Sequence, residues 1–526
     1  MRRSHLIALF SCAAILFTAG CGNGGTGASP AAGADADIDR GATLSMGWML
    51  PPPVMDPHAT ASIVGAFPYL SLVYDRLVRV DTTRADGQAF SPMVAESWEF
   101  SDGGMVLTFH LRDDAKFHDG APVDAAAVKW SLERAKTKAN STVAMELDGI
   151  DRVEAPDANT VVLHLTAPRS DVLYWLSTLA GAIVNPAASD GDLSLATAGS
   201  GPYELESLKV GDRASFTRYG GYWDEDAQNM AKIEIVGIVD DQARMNALQS
   251  GQLDAGITKV TQYTEAVKLQ ERNGFGLTDT DRSAWYAMYM NIGHPALADV
   301  RVRQAMNLAI DRQSISDALL NGQCDPTSQP LQEGVMGHDP DSADRYGYDI
   351  DAAKRLLREA GYENGFELNV LTLAGVRTSD GVAVAIKDQL AKVGIELNLQ
   401  QRDLSQAVVQ WRAGDADGFQ YTHPALADPG ATMEDIYTGW LYPTKLPTDI
   451  AEVFAKPLDS NLGPAQREAA LTAASRSASE NAVELFVCAI PTQYAYNQNV
   501  TGLDRMSPPT SGGAFDLRNV AVTGGQ

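Results

Sequence analysis

Few side chains in this sequence stand at spacings that do chemistry. No H-E-x-x-H, G-x-S-x-G, G-x-x-x-x-G-K-[ST] or C-x-x-C occurs in the 526 residues, which leaves out the local signatures of a zincin, a nucleophile elbow, a phosphate loop and a dithiol centre. Asp35, Asp37 and Asp39 have calcium-loop spacing, but Arg40 stands where the turn needs glycine and Met46 where it needs a bidentate acid. Beyond the leader, histidines 58, 110, 118, 164, 294, 338 and 423 are scattered, and His110 and His164 fall in alternating segments where a hydrogen-bonded structural role is expected. No cofactor or metal site is expected. Carboxylates distant in sequence could still meet as an acid/base pair, so a secreted hydrolase stays open as an alternative.

Four cysteines remain to be placed. Arg2, Arg3 and His5 precede an apolar stretch, Leu6 to Phe17, that is too short to span a bilayer, and Thr18-Ala19-Gly20 supplies small residues for cleavage. Residues 1–20 therefore read as a signal peptide. Gly20-Cys21 resembles the lipobox of bacterial lipoproteins, in which Cys21 would be acylated; Thr18 departs from that motif, which usually has Leu, Val or Ile there. Residues 21–40, with Ile38 their only large aliphatic, read as a lipidated tether. No run of about eighteen apolar residues follows, so anchoring to the outer face of a membrane without crossing it is expected. Cys12 leaves with the leader, which makes Cys324 and Cys488 an isolated pair in an oxidising compartment. A disulfide between them would remove roughly 5 kcal/mol of unfolded-state entropy; two separate buried thiols are the alternative.

The body has the composition of a large globular protein, 45% hydrophobic and 21% charged, and its 41 basic against 67 acidic residues argue against nucleic acid or an anionic membrane surface as partner. From Thr43 onward strand-like and helix-like segments alternate without a fixed repeat, which favours α/β architecture. Leu107, Phe109 and Leu111 alternate with Val106, Thr108 and His110, and Ile395, Leu397 and Leu399 with Glu396, Asn398 and Gln400. Val302, Met306, Ala309 and Ile310 make one helix face behind a capping Asp299; Val128, Leu132 and Ala135 do so behind Asp124. Gly361 and Gly394 stand where helix ends need a left-handed residue. His118-Asp119-Gly120, Gly199-Ser200-Gly201-Pro202 and Asp339-Pro340-Asp341 mark turns.

Several segments taken together resemble the family 5 extracellular solute-binding proteins of bacterial ABC importers. They are Leu111 to Asp113, Lys116 to Gly120 and Val128 to Arg134, then Gly199 to Tyr203, Ala247 to Asp254, and Asp299 to Ala305 with Ala309 to Arg312. Read from the residues, these pieces are scaffold: caps, turns and core, with a local cap or ion pair expected at Asp311-Arg312. The resemblance implies a periplasmic-binding-protein-like two-lobed clamshell (type II, cluster C-like) with an extra inserted domain. It maps one lobe to 41–75, 198–281 and 488–526, the inserted domain to 76–197 and the other lobe to 282–487, with crossings at Trp285 to Ile292 and near Cys488.

By family position, Ser62 and Ile63 would touch ligand from one lobe, Trp285 and Tyr286 would lie at the hinge, and Arg377 would face the cleft as a carboxylate anchor. The stretch Tyr421, Thr422, His423, Pro424, Ala425, Leu426, Ala427, Asp428, Pro429 resembles the ligand loop of the other lobe. Peptide-binding members carry an aspartate three residues before the acid-proline pair to hold the peptide ammonium; here that position is Ala425, while Asp428 belongs to the pair and is expected to shape the loop. A buried ammonium without a counter-charge is costly, so a glycan, an aromatic acid or another organic solute stands beside peptide, and nickel is disfavoured. The expectation is a lipid-anchored, monomeric receptor that hands a peptide or other medium-sized solute to an ABC permease driven by a separate ATPase. A non-importing peptide receptor or chaperone is a further alternative.

Overall fold

A computed structural model of the chain describes residues 38–526 apart from 61–62, 83–88, 189–191, 273, 280–283, 375–376, 440–441, 509, 511–513 and 525–526. Cys21 and Ser62 lie outside them.

Leu44, Met46 and Trp48 alternate inward along Thr43–Trp48, which founds a seven-stranded sheet. Its order is Phe275–Asp279, Gln493–Asn497, Ala255–Thr258, Thr43–Trp48, Lys232–Gly237, Arg213–Arg218, Tyr203–Lys209. Thr43–Trp48 runs parallel to both neighbours. A Cβ at Gly47 would sit 2.6 Å from Leu253 Cδ1, so the Leu253 side chain packs directly onto this strand.

A six-stranded sheet is centred on Ala284–Met290, an unbroken apolar and aromatic run buried at every position. It lies antiparallel between Glu484–Ile490 and Gly418–His423. Asp325–Pro326 closes one edge, and Phe366–Leu373 then Ile395–Arg402 complete the other. The chain thus passes from the first sheet to the second after Asp279 and returns after Ile490. Glu484–Ile490, which carries Cys488, is paired to the second sheet, and the chain leaves it after Ile490. Cys488 forms a disulfide with Cys324, at a Cα separation of 5.3 Å.

Residues between the first-sheet segments build a separate four-stranded antiparallel sheet, Ala95–Ser101, Val106–Leu111, Thr160–Leu165, Ile150–Glu154. Helix Ala125–Thr137 packs Val128, Leu132 and Ala135 onto it, and the Asp124 carboxylate accepts from Ala127 N–H at its start. Asp299 caps Val300–Leu308 in the same manner through Arg301 N–H, with Val302 and Met306 buried.

Two turn motifs distant in sequence meet. His118 N–H donates to the Gly199 carbonyl at 3.0 Å, and the His118 ring lies 3.0 Å from the Gly201 carbonyl oxygen. A Cβ at Gly199 would fall 1.9 Å from the Val73 carbonyl oxygen, so this glycine permits a close backbone approach. Asp311 caps Ser314 N–H as expected, whereas Arg312 is buried and donates to the carbonyls of Asn307, Thr327, Tyr346 and Phe486. It acts as a tie between strands and loops instead of pairing with Asp311. Among the described residues no helix is long and apolar enough to cross a membrane.

Candidate functional site

Strand register decides where the expected ligand residues go. Trp285 stands opposite His423, and their rings pack with centroids 5.2 Å apart. Both side chains are fully buried. The Trp285 indole N–H donates to Glu484 Oε2 at 3.1 Å, and His423 Nε2 lies 3.5 Å from Glu484 Oε1. Burial pushes the Glu484 carboxyl up to about 8 and the His423 imidazole down to about 3. At neutral pH the cluster is therefore an uncharged, indole-supported acid and imidazole. Tyr286, one residue on, points to the opposite face of the sheet, among the residues around Cys324 and Cys488. Tyr421 is partly exposed, stacked on Phe419 and edge-on to His423.

The loop after this strand is held by its own acid. Asp428 opens helix Pro429–Met433, where proline suits the first helical position. Its Oδ1 accepts from Ala431 N–H at 2.9 Å, and both carboxylate oxygens accept from Arg467 Nη2 at 2.7 Å. The Ala425 carbonyl accepts from Thr510 Oγ1 at 3.4 Å, and Leu426 bridges to Thr510. Ile63 and Arg377 begin helices Ile63–Leu70 and Arg377–Ala391; their side chains, like Ser62, are outside the described residues.

A cavity of about 230 Å³ opens where the four-stranded unit meets the second-sheet lobe. Its charged lining is Glu146, Asp148, Arg169, Asp171, Glu434 and Asp435, with Trp175 as its aromatic wall. Helix Val172–Leu176 carries Trp175, whose indole N–H donates to Asp171 Oδ2 at 3.1 Å. Arg169 makes a fork on Asp171, at 2.9 and 2.5 Å, and reaches Glu434 Oε2 at 2.5 Å.

Among these acids Arg169 reaches Asp171 and Glu434. Burial, with Asp171 repulsion added and Arg169 attraction opposing, holds Glu434 up at about 7. Burial, relieved by a bond from Thr178 Oγ1 at 3.3 Å and reinforced by Asp435, holds Glu146 up at about 8. The cavity thus keeps protons that a cationic group could replace. Burial raises the Tyr421 phenol, with Asp435 of the cavity adding to the shift. None of the residues expected from sequence lines it. Glu146, Arg169 and Glu434 had no motif to reveal them; the nearest signal was Glu434-Asp435 following the Asp428-Pro429 loop. Among the described residues no group of three or more His, Cys, Asp or Glu is arranged to hold a metal ion.

Known proteins share this fold. The structure of the PBP AgaA in complex with agropinic acid, from A.tumefacien, superposes with a TM-score of 0.77 at 25% identity, covering 92% of this chain and 99% of that one. DppA from Helicobacter pylori in complex with peptide STSA superposes at 0.77 with 20% identity, covering 93% and 99%, which concerns the fold alone. The glutathione-binding protein GsiB from Escherichia coli is 29% identical over 352 residues. The match spans 66% of this chain and 66% of that relative's length. Members of such families bind solutes and are not enzymes, which sets the hydrolase alternative aside. Residues 89–440 match the family described as bacterial extracellular solute-binding proteins, family 5 Middle, and the chain belongs to that family.

Proposed function

We propose that this protein captures a small amino-acid-derived solute, a short peptide or a conjugate of comparable size, and delivers it to an ABC permease while anchored through Cys21. The carrying observation is the cavity between the four-stranded unit and the second-sheet lobe. It offers carboxyls of Glu146 and Glu434 that hold protons near neutral pH, a bound arginine, and an indole wall. A ligand ammonium entering there displaces a proton from Glu146 and gains the counter-charge that Ala425 does not supply. A relative named as a glutathione-binding protein supports this solute class.

The test is calorimetric titration of glutathione, dipeptides and tripeptides in two buffers of different ionisation enthalpy. Binding is expected with net proton release near pH 7, and Glu146→Gln should weaken it by about tenfold or more, since an ammonium loses its charged partner, without lowering the unfolding temperature. Tight binding of an uncharged glycan with no proton release contradicts the reading.

A further inference from the structure

The four-stranded unit and the second-sheet lobe touch at separate places along one seam. Arg169 crosses it to Glu434. Ser170 N–H donates to the Leu458 carbonyl at 2.7 Å, and Asn461 Nδ2 donates to the Gly103 carbonyl at 2.9 Å. A small apolar cluster joins Val80 and Tyr174 to Ala431, flanked by Trp175 and Leu426. At Gly104 a Cβ would lie 2.3 Å from Ser460 Oγ, so the surfaces are in close register.

We infer that Arg169 is a positioning residue that holds this seam shut around the cavity. The inference rests on the cavity being where solute binds. Among the described residues the seam has the character of a reversible contact: hydrogen bonds from Ser170 N–H and the Asn461 side chain to backbone carbonyls, a handful of apolar side chains and a partly exposed guanidinium, unlike the continuous cores within each unit. Arg169 is suited to the task because its planar fork is fixed on Asp171 within its own unit and still has a donor to spare for Glu434. A lysine keeps the charge and cannot hold both partners.

Closure also has a proton signature. Glu434 faces Arg169 and Asp171 from the four-stranded unit, with Asp435 on its own segment; Glu146 and Asp148 line the same cavity, and Tyr174 lies beside them. Shut, the seam holds Glu434 and Glu146 above the usual carboxylate range; open, solvent returns them to it. The shut form therefore binds more protons between the ordinary glutamate pKa and about 8, and rising pH across that window favours opening.

Amide hydrogen exchange on the purified protein without added solute, corrected for intrinsic rates, tests this. Arg169→Met should raise exchange about tenfold or more in 168–176 and in 456–462 together, with strands Val106–Leu111 and Glu484–Ile490 unchanged. Arg169→Lys should be intermediate. Wild type should exchange faster along the seam at pH about 8 than at pH about 5.5, and Glu434→Gln should flatten that difference. Unchanged exchange, a rise confined to 168–176, or a rise spread evenly over the four-stranded unit would overturn the inference. Because no solute is added, the outcome is independent of which solute binds.

Discussion

At the scale of single residues, the buried acid Glu484 is where electrostatics is most exposed to test. Its folded-state pKa is raised, so its contribution to stability is fully present below the ordinary glutamate pKa and is lost as pH rises through about 8. Glu484→Gln keeps an acceptor for the Trp285 indole and removes the ionisation. Its unfolding free energy should match wild type near pH 5 and exceed it by roughly 1 to 3 kcal/mol near pH 9, measured by urea titration at each pH. Asp428 gives a contrasting case, a buried acid that accepts from Ala431 N–H and pairs with Arg467. Arg467→Met leaves its buried carboxylate uncompensated and should cost about 3 kcal/mol, read from the urea midpoint. That Asp428 shapes the loop was legible from the Asp-Pro pair, because capping is local chemistry. That Trp285 and His423 share a buried carboxylate was not, since Glu484 comes from a strand more than sixty residues beyond His423.

Secondary structure was read best where one periodicity had one partner surface. Strand Val106–Leu111 and the helices behind Asp124 and Asp299 follow their apolar spacing. Strand Ala284–Met290, buried on both faces, carries no alternation, and only its length and aromatic content mark it. The glycines at 199 and 201 announced a turn but not the Val73 backbone it lies against. Gly199→Ala should therefore cost more than the usual loop substitution, about 2 kcal/mol or more, seen as a lower melting temperature. The Cys324–Cys488 bond fastens the segment before Asp325 to strand Glu484–Ile490. Replacing both cysteines with serine should lower stability by roughly 2 to 5 kcal/mol, and reduction of the wild-type protein should raise its mass by about two daltons.

For the molecule as a whole, α/β architecture was legible from alternating segments, and its two-sheet organisation from motifs that proved to be scaffold. The cavity was not legible. Its arginine, its aromatic wall and its acids come from a turn near 146, a segment at 169–175 and a helix at 434–435, and only the packing of the four-stranded unit against the second-sheet lobe brings them together. Sequence showed instead a missing charge at Ala425; the structure shows where other carboxyls stand. The most direct measurement is native mass spectrometry of the purified protein, followed by denaturation and identification of whatever it releases. One equivalent of a small amino-acid-derived solute bearing a free amine is predicted. A stoichiometric sugar lacking an amine, or an empty protein that no amine-bearing peptide stabilises, would contradict the account.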